Sequence, residues 1–80
     1  MENNLLTRIV IDEKILGGKP VIKGTRIPIE IILKKLAQNM DINDILRDFP
    51  RLTKEDIKAS IMYAESLVED NEIFPLVENK

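Results

Sequence analysis

Ten residues decide the fold: DFPRLTKEDI, Asp48–Ile57. Pro50 ends a helix, because the residue before a proline is pushed out of helical geometry. Thr53 opens the next one. It suits an N-cap, Asp56 stands where a capping-box acid belongs, and Leu52 and Ile57 flank the cap as a hydrophobic staple. A stop and a start this close leave a connection too short for anything but direct packing of the two helices against each other.

Working outward, the spacing predicts three helices. The third runs from Thr53 toward Asn71 with a buried stripe of Ile57, Ile61, Ala64, Leu67 and Val68. The second repeats the pattern at Ile42, Ile45, Leu46 and Phe49, with Asp41 as its N-cap and Met40 and Ile45 as its staple. The first carries Ile29, Ile32, Leu33, Leu36, Ala37 and Met40, the i, i+3, i+4 stripe of a helix with one buried face. Pro28 suits its first position, where a missing N–H costs nothing. Asn39 suits the left-handed residue that ends it.

Ahead of the helices, Arg8–Asp12 (RIVID) and Pro20–Lys23 (PVIK) read as two short strands of a hairpin, with Pro20 tolerable only at a strand start or edge. A lone hairpin is marginal in water and must pack on the helices or pair with another chain. The expected fold is mainly α: a trihelical helix-turn-helix-like domain preceded by a small N-terminal β-hairpin. One domain spans 1–70, with the hairpin in 8–27 and the helices in 28–70, and 71–80 forms a C-terminal tail. That tail is acidic and broken by Pro75, with a small apolar cluster of Ile73, Phe74, Leu76 and Val77. An extended segment with a few apolar anchors is a common way to dock on a partner, so these four are candidate partner-binding residues; the alternative is that Phe74 folds back onto the end of the third helix.

Composition excludes several classes of function. The 80 residues include no cysteine and no histidine. Disulfides, thiolate metal sites, a structural zinc centre and a histidine general base are therefore not expected. A domain this small has a marginal core and usually needs a partner chain. A homodimer is expected, with the two strands at or near its interface. The opening MENNLLTRIV lacks the basic region and long apolar run of a secretory signal, and no apolar run is long enough to span a bilayer. The expected location is the cytoplasm.

The net charge of −2 hides an asymmetry. From Lys14 to Lys35 six basic residues face Glu30 alone, a net of +5, whereas Asp41–Asn79 carries a net of −6. The basic half contains GGKPVIKGTRIP, Gly17–Pro28, with every glycine of the chain. It is not a nucleotide loop. Lys19 is followed by proline rather than a hydroxyl residue, and the dinucleotide glycine spacing is missing. Asp41, Asp44 and Asp48 share one helix face, but a cap, a first-turn acid and a solvated side chain explain them without a metal. No catalytic constellation stands out, so an enzyme is not expected, and no cofactor. A basic turn remains. Its glycine N–H groups with Lys19, Lys23, Thr25 and Arg26 suit phosphate contacts, with Lys34 and Lys35 as further nucleic-acid-binding candidates. Glycine fitting the turns, with lysines keeping a strand edge soluble, explains the same residues structurally. Glu55 and Asp56, at the start of the third helix, oppose phosphate, so basic contacts are expected from this turn or from Lys54 and Lys58.

Two segments, ILGGKPVIKGTRIPI (Ile15–Ile29) and ILRDFPRLTKEDIKASIMYA (Ile45–Ala64), resemble the bacterial family of domain of unknown function 433. The G-G-K-P, G-T-R-I-P and F-P-x-L-T-x-E-D-I motifs occur in order, and the likeness runs from Arg8 to about Ala64. It implies a helix-turn-helix-like trihelical domain behind a small sheet. It further implies an antitoxin-like protein that binds and silences a PIN-like ribonuclease toxin, with its own operator DNA as a further candidate ligand. Two alternatives are a DNA-binding transcriptional regulator without a toxin partner and a small dimerisation module.

Overall fold

The computed structural model describes residues 2–70. Three helices, α1 (Ile29–Ala37), α2 (Ile42–Asp48) and α3 (Lys54–Asp70), follow a two-stranded antiparallel hairpin of β1 (Ile9–Val10) and β2 (Val21–Ile22). Ile9 pairs with Ile22 and Val10 with Val21. Both strands are shorter than the expected Arg8–Asp12 and Pro20–Lys23. The chain leaves the ladder at exposed Ile11 and at the turn that begins at Lys23. That turn returns the chain along the other edge of β2: the Ile22 N–H donates to the Ile27 carbonyl, the Ile29 N–H to the Pro20 carbonyl, and Val21 bridges Pro28. β2 is therefore an inner strand. Val21 and Ile22 are buried and both edges are taken, so β2 offers no edge to a second chain. A marginal hairpin is stabilised here from within the chain.

Pro28 stands one position earlier than expected, as the N-cap residue of α1. Its extended backbone serves the bridge to Val21 and its carbonyl accepts the Ile31 N–H at 3.1 Å. At the other end Asn39 is left-handed with φ +67. The Asn39 N–H donates to the Leu36 carbonyl and the Met40 N–H to the Lys35 carbonyl, which closes α1 in a Schellman motif. Asp41 occupies the N-cap of α2, but its carboxylate does not cap. The Asp44 N–H it would serve already donates to the Asp41 carbonyl at 2.9 Å.

The cap of α3 forms as the sequence spells it. The Asp56 N–H donates to Thr53 Oγ1 at 3.2 Å and the Thr53 N–H to Asp56 Oδ2 at 2.9 Å. Leu52 and Ile57 are both buried. The core gathers Ile22, Ile29, Ile32, Ile45, Leu52 and Ile57, flanked by half-buried Leu33, Leu36, Met40, Leu46, Phe49 and Tyr63. Ala37 is exposed, on the solvent side of α1.

The buried face of α3 is Asp56, Ile57, Ala59, Ser60 and half-buried Tyr63. It is rotated by roughly a quarter turn from the expected Ile57, Ile61, Ala64, Leu67, Val68 stripe. Small Ala59 and Ser60 give α3 its close approach to the core, with Ser60 Oγ donating back to the Asp56 carbonyl at 2.9 Å. Ile61 and Val68 face outward at 47% and 59% exposure.

A segment with no sequence signal completes the fold. Glu2–Arg8 forms a 3₁₀ helix that packs along α3. It is tied down by Arg8, whose Nη1 lies 3.1 Å from Asp56 Oδ1. The Arg8 carbonyl also accepts the Lys23 N–H at 2.7 Å. No described helix is long and apolar enough to cross a membrane.

Candidate functional site

The site is built on the turn that follows β2. The Thr25 N–H donates to the Ile22 carbonyl at 3.0 Å, closing a four-residue turn. Gly24 stands at its third position with φ +79, where a left-handed residue is required. Thr25 locks the turn from inside. Its hydroxyl donates to the Ile22 carbonyl at 2.7 Å and accepts the Ile27 N–H at 3.0 Å. Lys23 and Arg26 flank this frame, both exposed.

A third cation arrives from the α2–α3 connection. Arg51, next to Pro50, donates from Nη2 to the Gly24 carbonyl at 3.0 Å. The Arg51 guanidinium thus reaches the exposed turn that Lys23 and Arg26 flank, and backbone hydrogen bonds hold that turn. The pairing also joins two distant motifs of the sequence, G-T-R-I-P and F-P-R-L-T.

The remaining candidates lie apart from this cluster. Lys19 Nζ pairs with Glu30 Oε2 at 3.1 Å, both well exposed. Lys34 is exposed toward the far end of α1. The Lys35 ammonium stands 5.8 Å from the Phe49 ring centroid, in a cation–π contact. The N–H groups of Gly18 and Lys19 donate to the Ile15 and Leu16 carbonyls, so neither is free for an anion. The first glycine pair instead shapes a left-handed turn: Leu16, Gly17 and Gly18 have φ of +51, +67 and +93. Ile73, Phe74, Leu76 and Val77 lie outside the described residues.

Two features escaped the sequence. Arg51 sits in the acidic half of the chain, and only the tertiary turn brings it to Gly24. Asp56 carries no free charge toward an anion. It is 5% exposed, and its carboxylate takes the Thr53 N–H and the Arg8 guanidinium. Glu55 is left as the exposed acid between Lys54 and Lys58. The two aspartates of α2 and its N-cap Asp41 are likewise accounted for locally: Asp44 accepts from Arg47 at 2.6 Å, and Asp41 and Asp48 are exposed. Among the described residues no group of three or more potential ligands is placed to hold a metal ion.

The model of the family described as "Protein of unknown function (DUF433)" matches residues 9–64. That span contains the turn, Arg51 and the capping box. A crystal structure of a DUF433 member protein from Anabaena variabilis is similar, with a TM-score of 0.73 and 31% identity. The match covers 85% of this chain and 67% of that one. Uncharacterized protein y4eO of Sinorhizobium fredii is 36% identical over 52 residues, 65% of this chain. The match spans only 24% of that relative's length. An uncharacterized Archaeoglobus fulgidus protein is 60% identical over 25 residues, 31% of this chain and 69% of its own.

Proposed function

The chain belongs to the DUF433 family, and from that premise we propose that it is a non-enzymatic, antitoxin-like regulator that binds a PIN-like ribonuclease and blocks it. The observation that carries this reading is the gathering of Lys23, Arg26 and Arg51 on one rigid, exposed turn. A nuclease that works through magnesium holds the ion with carboxylates. A turn tipped with two guanidinium groups and an ammonium complements that cluster and forms charge-assisted hydrogen bonds with it. Seated there, the turn occupies the space of the metal ion and of the substrate phosphate. Complementary charge also speeds the encounter and selects the partner.

Operator DNA is the second reading, favoured by the same three cations, since phosphate is the other natural partner of an arginine fork. The burial of the Asp56 charge also removes one source of repulsion. The test is co-expression with the product of the adjacent gene, followed by co-purification and a ribonuclease assay. A stable complex with cleavage suppressed is expected. Separate elution with undiminished cleavage would overturn the nuclease reading. If operator DNA were then shifted with a salt slope of about three units, as three phosphate contacts would give, the second reading would replace it.

A further inference from the structure

We infer that the outward face of α3 is a two-fold interface for a second copy of this chain, the two helices lying antiparallel and centred near Ile61. Lys54, Lys58, Ile61, Glu65 and Val68 form one exposed row. Their alternating spacing of four and three residues is the spacing of a helix–helix seam. Next to the row, Leu5, Ile42, Ile57 and Ile61 line an open apolar groove, together with the charged Lys54, Glu55 and Lys58.

The charges on this row, with exposed Glu69 beside it, are arranged against the interests of a lone helix. Lys54 and Lys58 are like charges one turn apart, and so are Glu65 and Glu69, which is unfavourable at i, i+4. The lysines sit toward the N-terminus and the glutamates toward the C-terminus, opposite to what the helix dipole prefers. No basic residue occupies the last turn. Among the described residues none of the four takes part in an ion pair. An antiparallel second copy resolves each conflict. It sets Lys58 opposite Glu65 and Lys54 opposite Glu69, twice over by symmetry. It also opposes the two dipoles, packs Ile61 against its own copy, and lets the Lys54 stem cover Val68. The small core supplies the reason for a partner. None of these residues belongs to the basic turn, so the dimer and the nuclease reading stand or fall separately.

The test uses the isolated protein in sedimentation equilibrium from about 1 to about 200 µM, the range in which weak dimers form. A monomer–dimer equilibrium is expected that weakens as salt rises, since the seam charges are exposed. Lys58→Glu and Glu65→Lys should each weaken the dimer about tenfold or more, with melting curves confirming that both variants fold. The combined swap, K58E with E65K, should return the affinity to within about threefold of the wild type, because the pairs re-form across the two-fold axis. A monomer at every concentration would overturn the inference and hand the face to another occupant, the chain's own C-terminal residues or a different protein. A dimer indifferent to both reversals, or one that the swap fails to restore, would overturn it equally.

Discussion

Replacing Asp56 by alanine is expected to remove about 2 kcal/mol of folding stability, the sum of a lost cap and a lost ion pair. The cap contribution comes from the Thr53 N–H, whose acceptor at 2.9 Å disappears. Such caps are worth about 1 kcal/mol. The second contribution comes from Arg8, 3.1 Å from the same carboxylate. Its side chain is 42% exposed against 7% for Asp56, so solvent screens part of the attraction and about 1 kcal/mol is left. A domain of this size has only about 4–12 kcal/mol in total, so the loss should be plain in denaturant titration. It should lower Tm by about 8–16 °C. Asp56→Asn separates the two effects. It keeps an oxygen for the Thr53 N–H and removes the charge, so it should cost about half as much. Arg8→Ala should then destabilise the wild type by about 1 kcal/mol and the Asp56→Asn variant hardly at all. A loss below about 0.5 kcal/mol for Asp56→Ala, or equal costs of Arg8→Ala in both backgrounds, would refute the coupling of the N-terminal segment to α3 through this carboxylate.

Two turn residues give further predictions. Gly24 has φ +79 and open space around a would-be Cβ, so Gly24→Ala should cost about 1–2 kcal/mol from backbone conformation alone; chemical denaturation showing no cost would deny the left-handed turn. Leu16 is a half-exposed, non-glycine residue at φ +51, so Leu16→Gly should be neutral within about 0.5 kcal/mol, where the entropy of glycine alone would cost about that much or more. A clear loss by thermal melting would mean that the Leu16 side chain is held by contacts stronger than its exposure implies.

Much of the fold was legible because local chemistry and tertiary packing agree. Pro50, Thr53 and Asp56 act through neighbours in the chain, and so do Asn39 and Gly24, whose backbone angles are fixed by their own turns. What escaped depends on partners far along the sequence. Glu2–Arg8 has neither strand nor helix period, and it is fixed by an ion pair across 48 positions. Pro28 and Ile29 read as the first residues of a helix, yet the backbone of Ile27–Ile29 pairs with β2. The face of α3 was misplaced because its apolar residues outnumber its buried ones: Ile61 and Val68 strengthen a stripe that the core does not use, whereas Asp56 and Ser60 look polar and are buried. Of the nucleic-acid-binding candidates, Lys23, Thr25 and Arg26 share one turn, Thr25 as its internal brace. Lys19, Lys34 and Lys35 stand elsewhere, and Arg51 became visible only when its hydrogen bond to Gly24 joined two distant segments.

The most direct test of nuclease silencing by the basic turn is a ribonuclease inhibition titration with two charge-reversed variants. One carries Lys23→Glu, Arg26→Glu and Arg51→Glu; the other carries Lys34→Glu and Lys35→Glu on α1. The first should inhibit about a hundredfold more weakly, because three cations facing carboxylates become three repulsions, while the second should stay within about threefold of the wild type. Full inhibition by the folded triple variant, or an equal loss in both, would contradict a role for this turn in blocking the nuclease.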